Sequence, residues 1–166
     1  MSRGGFVLVE VTIAYVLLVF ALVALVPVFI IAIRAGANSE ALQASTYLSN
    51  ELLEEVRLRR WDERTAVAGG HIPAPSTLGV DGAESATDKR QFDDVDDFDG
   101  WTESYPLDPV MRVLNDFKAY RRTVTVAYVD SAMAPSALVT DYKMITVCTR
   151  TATITPACLS TLVTNR

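Results

Sequence analysis

From Phe6 to Ile33 the chain carries a single charged side chain, Glu10, in an otherwise almost wholly apolar run. At about 1.5 Å per residue, a helix over this run measures about 42 Å, longer than the roughly 30 Å hydrocarbon core of a bilayer. A carboxylate at the centre of such a span costs roughly 2.5–3.5 kcal/mol on insertion scales, and a residue that costly marks function by default. Its simpler reading is a near-interface residue, because Glu10 lies close to the start of the run and can snorkel to the headgroups. A secretory signal has an apolar region of only about 7–15 residues. The length of the run and the single basic side chain before it, Arg3, count against a signal peptide, although Ala35-Gly36-Ala37 has the form of a signal peptidase site. Arg3 and the start amine predict a cytoplasmic N-terminus, and Arg34 weakens that orientation without reversing it.

The chain has 166 residues and a formal net charge of −5. Setting the apolar run aside leaves about 130 residues, enough for one modest domain with its own core. No basic stripe exists to neutralise phosphates, so nucleic acid is an unlikely partner. The densest basic run, Arg57, Arg59, Arg60 and Arg64, is interleaved with Glu54, Glu55, Asp62 and Glu63. That spacing predicts a helix face laced with ion pairs, Glu54 with Arg57 and Glu55 with Arg59. Nothing assembles catalysis: His71 is the one histidine, no Cys/His cluster has metal spacing, and neither a nucleophile elbow nor a phosphate loop occurs. The chain reads as a non-enzyme.

Ala41, Ala44, Leu48, Leu52 and Val56 continue at three- and four-residue steps, so one long helix is predicted from Phe6 to about Arg60. Its apolar half, residues 6–34, would sit in lipid or a filament core, and its amphipathic half, 35–61, would pack on a small domain. Pro27 removes one backbone donor and crowds the carbonyl of Val23. Gly36 and Asn38 mark a possible bend. Residues 62–119 read as an irregular connection. Within it, Asp93, Asp94, Asp96, Asp97 and Asp99 place five carboxylates in seven residues. Hard cations want such oxygens, so Asp94, Asp96, Asp97 and Asp99 are calcium candidates. The EF-hand spacing fails, since counting back from Gly100 puts Val95 where the first aspartate belongs. The competing reading is a solvated acidic loop without a cofactor.

Tyr120 to Val129 and Asp141 to Arg150 alternate and are rich in β-branched residues, which predicts two strands joined through the Pro135 segment. Thr151 to Thr155 and Leu159 to Thr164 are candidates for a further edge. The predicted class is α+β, an antiparallel sheet over 120–166 covered on one face by the second half of the helix. Cys148 and Cys158 are the only cysteines. Beyond a membrane crossing they face an oxidising compartment, where a disulfide forms readily; the alternative is two reduced side chains packed as small hydrophobes.

Gly5-Phe6-Val7-Leu8-Val9-Glu10-Val11 resembles the class III signal of type IV pilins and type II secretion pseudopilins. The family has a short basic leader (here 1–5), a glycine after which prepilin peptidase cuts, an aromatic first mature residue and a glutamate at the fifth. Pro27 is similar to the mid-helix proline of many pilins, whereas Val19 stands where major pilins often carry a glycine. Phe92 to Trp101, Leu52 to Val56, Tyr120 to Val126 and Lys143 to Val147 resemble, less specifically, minor pilins of the MshD type and PilV-like relatives. The Cys148/Cys158 pair is similar to the C-terminal disulfide loop of many pilins. The resemblance implies a type IV pilin-like fold, cleavage between Gly5 and Phe6, and N-methylation of Phe6. It implies register set by Glu10 against the new amine of a neighbour. The implied partners are other pilin subunits, prepilin peptidase and an inner-membrane assembly platform. The implied place is the inner membrane, with the C-terminal domain extracytoplasmic, and then a pilus or periplasmic filament serving adhesion, motility, DNA uptake or secretion. The alternative is an exported or membrane-anchored binding module that does not assemble.

Overall fold

The computed structural model describes residues 3–66, 69–82, 84–152 and 154–166, with side chains from Leu8 onward. Helix α1 runs over Arg3–Arg57 and contains Pro27. Helical assignment is unbroken through Pro27, Gly36 and Asn38. The helix stops short of the predicted Arg60. Leu58 still donates to the Glu54 carbonyl at 3.2 Å, but Arg59 tightens onto Val56 at 3.0 Å. Arg60 then leaves the helix altogether: its N–H donates to Asp93 O at 3.3 Å and its carbonyl accepts from Val95 N–H at 2.9 Å. The backbone of Arg60 is used in a parallel bridge to Asp94 and cannot also continue α1. The predicted ion-pair ladder is correspondingly partial. Arg57 meets Glu54 at 3.3 Å, while Glu55 pairs with Lys89 instead of Arg59.

The chain divides into two compact units, Met1–Glu40 and Ala41–Arg166. The second holds a sheet of four strands in the order β1-β2-β3-β4. These are β1 Thr102–Glu103, β2 Arg121–Tyr128, β3 Tyr142–Arg150 and β4 Ala157–Thr164. Every pairing is antiparallel, and β2 and β3 register with Val124 opposite Val147 and Val126 opposite Ile145. The β2 and β3 strands match the two predicted runs. The further edge is β4, starting at Ala157; Thr151, Ala152, Ile154 and Thr155 form the turn before it, and Thr153 lies outside the described residues. The two-residue β1 is too short to leave a periodic signal. The overall class is α+β, a long apolar N-terminal helix and a four-stranded antiparallel sheet.

Period-two alternation sorts the sheet into faces. Val124, Val126 and Tyr128 of β2 and Ile145 and Val147 of β3 are buried, together with Leu48, Leu52 and Val56 of α1. Leu48, Leu52 and Val56 recur at the four-residue step that lines one side of a helix. The core is not made by helix and sheet alone. Phe92, Val95, Phe98 and Trp101, from the segment predicted to be irregular, join Leu52, Val56, Val124, Val126, Ile145 and Val147 in one cluster. Phe92 meets Phe98 edge-on at 4.9 Å and Trp101 at 5.3 Å, the arrangement ring quadrupoles prefer. A second cluster of Trp61, Ile72 and Tyr128 flanks it.

Cys148 and Cys158 face each other across β3 and β4 and form a disulfide with an S–S distance of 2.06 Å. The ring it closes is short, and the chain-entropy account gives such a loop roughly 2.5–3 kcal/mol. Unreduced protein should therefore take up no thiol reagent, and reduction should release two reactive thiols. Leu52→Ala removes a wholly buried side chain. It is expected to cost about 2–5 kcal/mol, read as a lower denaturation midpoint with an unchanged transition slope.

Candidate functional site: a lone helix carboxylate and a buried acidic turn

In the first unit every described side chain from Leu8 to Glu40 is exposed. The most apolar stretch of α1 has a mean hydropathy of 3.3 and none of it is buried, so this helix is long and apolar enough to span a membrane. Leu17, Phe20, Phe29 and Ile33 are each at least 64% exposed, which in water would be a large uncovered apolar surface. Glu10 is the one carboxylate between Leu8 and Ile33, and two residues along Thr12 folds its hydroxyl back onto the Val9 carbonyl at 2.8 Å. Gly5 and Phe6 fall in the first turns of α1, and their side chains lie outside the described residues. Pro27 sits among the exposed apolar residues of α1.

In the second unit the acidic segment is not a solvated loop. Asp94, Asp96 and Asp97 are 1%, 0% and 3% exposed. Aromatic anchors explain why: Phe92, Val95 and Phe98 recur every third residue and all turn into the core, taking the aspartates between them inside. The carboxylates repay part of their desolvation by closing their own turn. Asp94 Oδ1 accepts from the N–H groups of Asp96 at 2.9 Å and Asp97 at 3.2 Å. Asp97 Oδ2 accepts from those of Asp93 at 2.9 Å and Asp94 at 3.1 Å. The pattern is that of a reciprocal helix cap, here around the 3-10 turn Asp96–Phe98. Exposed Asp99 reaches the sheet, accepting from Val126 N–H at 2.9 Å, and Gly100 follows at φ +77°, a left-handed turn suited to glycine.

The four calcium candidates are thus not gathered as one donor set. Asp96 is taken by Lys143 and Asp99 by the backbone of β2. Asp94 groups with Glu63 and Asp93, and Asp97 with Glu84 and Asp93. Arg60 supplies positive charge to that group, contacting both Asp93 and Glu63. The crowding of carboxylates raises their affinity for protons. Burial, then the Asp96 and Asp97 charges, push Asp94 up to about 8. Burial, then Asp97, push Glu84 up to about 7. Burial also raises Asp96, against the pull of Lys143. Asp62 goes the other way: burial opposes its charge, but N–H donors from Arg64 and Ser76, the Ser76 hydroxyl and Lys143 together hold it below the usual range.

Three buried cations organise this unit, and none was singled out by motif. Arg122 of β2 donates to Glu103 at 2.7 Å, Glu51 at 2.9 Å, and the carbonyls of Leu48 at 3.1 Å and Leu107 at 2.6 Å. Lys89 lies beside it on Glu55 at 2.9 Å and Glu103 at 3.2 Å. Lys143 of β3 donates to Asp96 at 2.5 Å and the Trp61 carbonyl at 2.7 Å, 4.1 Å from the centre of the Trp61 ring. The available signal was alternation, which puts Arg122 on the face of Val124 and Lys143 on the face of Ile145. Elsewhere a cleft of about 450 Å³ opens between Trp101, Tyr105, Leu107 and Met111, with Asp97, Asp99 and Glu103 in its wall.

No family model, curated protein or solved structure matches the chain.

The raised carboxyls fix a pH dependence. A carboxyl whose folded pKa lies above its unfolded value keeps protons on the folded state, so its contribution is present at low pH and is lost as pH rises through the folded pKa. For Glu84 and Asp94 the loss begins near the unfolded values, about pH 4, and is complete by about pH 7 for Glu84 and about pH 8 for Asp94. Asp62, with its lowered value, acts only at pH values below that range. The melting temperature should fall as pH is raised from about 4 to about 8 and level off above that, and Asp94→Asn should flatten the fall.

Proposed function

We propose that this chain is a minor pilin or pseudopilin, a structural subunit of a type IV pilus or a type II secretion-like filament. The observation that carries the reading is the unburied apolar length of α1 with Glu10 as its one carboxylate, placed just after Gly5-Phe6. Prepilin peptidase would cut after Gly5, and N-methylation would follow on Phe6. Before assembly the helix would hold the protein in the inner membrane, N-terminus cytoplasmic, with the second unit outside. On assembly the same apolar surface would pass from lipid to the helices of other subunits.

The chemistry of Glu10 suits that transfer. Cutting after Gly5 creates an amine on Phe6, and the amine of one subunit can face the Glu10 carboxylate of the next. Two such charges about 4 Å apart are worth roughly 4 kcal/mol at an effective dielectric of 20. That offsets much of the cost of burying the carboxylate, and only one axial stagger satisfies both charges. The fold of the second unit is compatible with a pilin-like layout, with the helix stripe of Leu48, Leu52 and Val56 buried in the same unit as the antiparallel sheet.

A second reading, a membrane-anchored binding module that does not assemble, is favoured by the cleft at Trp101 and Tyr105. The mature N-terminus separates the two. N-methyl-Phe6 supports the filament subunit, whereas Met1, Ser2 or Asn38 as the first residue would reject it. Glu10→Ala should leave membrane insertion intact and abolish incorporation into filaments, scored by shearing and immunodetection; unimpaired incorporation would remove the register role.

A further inference from the structure

We infer that Lys143 and Asp96 become joined in the folded protein by an amide bond between Nζ and Cγ, an internal cross-link from β3 to the acidic turn. The pair has the geometry for it. Nζ lies 2.5 Å from Asp96 Oδ1, which brings the amine to the near-attack range of the carboxyl carbon, about 3–3.5 Å. Both residues are fully buried. Held reactants of this kind reach effective molarities of about 10⁵–10⁸ M, enough to replace activation of the acid by a cofactor.

The surroundings hold the reacting atoms and hold little else. The Trp61 ring covers the amine at 4.1 Å, and the Tyr128 ring stands 5.5 Å away. The titratable groups facing the pair are Asp62, with Oδ2 3.8 Å from Nζ, and Asp94, whose Oδ1 accepts from the Asp96 N–H at 2.9 Å. Ser76 Oγ donates to Asp62 Oδ2 at 2.8 Å and lies 3.3 Å from Asp96 Oδ2, so it bridges the two acids. Tyr128 donates its hydroxyl to the Ser76 carbonyl at 2.9 Å and fixes that segment.

The step balances without an outside reagent. The ammonium passes one proton to Asp96 Oδ1, and the freed nitrogen lone pair attacks Cγ, opening the carbonyl to Oδ2. A second proton leaves nitrogen for Asp62 and reaches Oδ2 through Ser76. One of the two hydroxyls then departs as water, its partner's proton passing through Asp94, and the carbonyl closes again. Nitrogen has lost two hydrogens, the carboxyl one oxygen, and together they leave as one water. The remaining amide N–H keeps the Trp61 carbonyl as its acceptor, and the new carbonyl keeps the donors of Asp96. A buried charge pair that bears the desolvation of both ions is replaced by a neutral group already hydrogen-bonded at both ends.

The test is peptide mass mapping of the full chain, extracted from membranes in detergent, denatured, reduced, alkylated and cut with trypsin. Residues 91–112 should appear joined to residues 123–150, one water lighter than the sum, with no cleavage after Lys143. Separate peptides, cut at Lys143, would overturn the cross-link in the wild-type chain, with no variant needed. Lys143→Arg should release 91–112 as a free peptide; a joined species persisting there would reject Lys143 as the nucleophile. Asp96→Asn should give the same joined mass by loss of ammonia. Ser76→Ala should slow joining in a time course after synthesis, and an unchanged time course would overturn the relay.

Discussion

A guanidinium sealed from water must find acceptors for its N–H groups inside the protein, and Arg122 does so by drawing on segments far apart in the chain. Its four bonds go to helix α1, to β1 and to the loop at Leu107. Removing any one acceptor would leave a buried donor unmet, which costs more than the bond contributes when made. The helix stripe, the two-residue β1 and the long connection are thereby held to one arrangement. Glu103 is the hinge of this network, since it serves Arg122, Lys89, the indole N–H of Trp101 and the Leu107 N–H at once. Replacing such a set with apolar side chains is often neutral or stabilising, so its value lies in selecting one packing.

That selection matters because so little of the second unit is regular. Among the described residues between α1 and β2 the regular elements are a two-residue strand and two short 3-10 turns. Apolar burial alone is non-directional and would let such a connection settle in several ways. Directional bonds remove that freedom. Lys89 and Arg122 fix the segment around Leu107, Lys143 fixes Trp61 and Asp96, and Asp94 and Asp97 close the turn between them.

The parts of this arrangement that were legible in the sequence are those carried by periodicity. The helix, its stripe and the strands β2 and β3 follow from spacing, and so does the inward placing of Arg122 and Lys143. The partners were hidden because Glu103, Asp96 and Asp62 are distant in sequence and lie on elements too short to have a period. The acidic segment misled for a different reason. Its charge density suggested solvent, but Phe92, Val95 and Phe98 are spaced to bury one side of a tight turn, and the aspartates go in with them. The early end of α1 was equally hidden, since Arg60 is drawn off by a backbone bridge to a segment over thirty residues away.

The two halves of α1 solve opposite problems with the same backbone. Residues 41–57 bury their apolar stripe within their own unit and place Glu51 and Glu55 on buried cations, so this half is satisfied by the protein itself. The half before it has no side chain buried from Leu8 to Ile33, and Glu10, the one carboxylate of that stretch, meets no cation among the described residues. Its needs are met from outside: lipid or like helices for the apolar surface, and a positive charge for Glu10. The contrast between an interior that supplies a cation for its buried acids and a helix that leaves one acid open is what gives Glu10 its meaning. An amine supplied by a neighbouring copy satisfies it without changing anything in the folded unit.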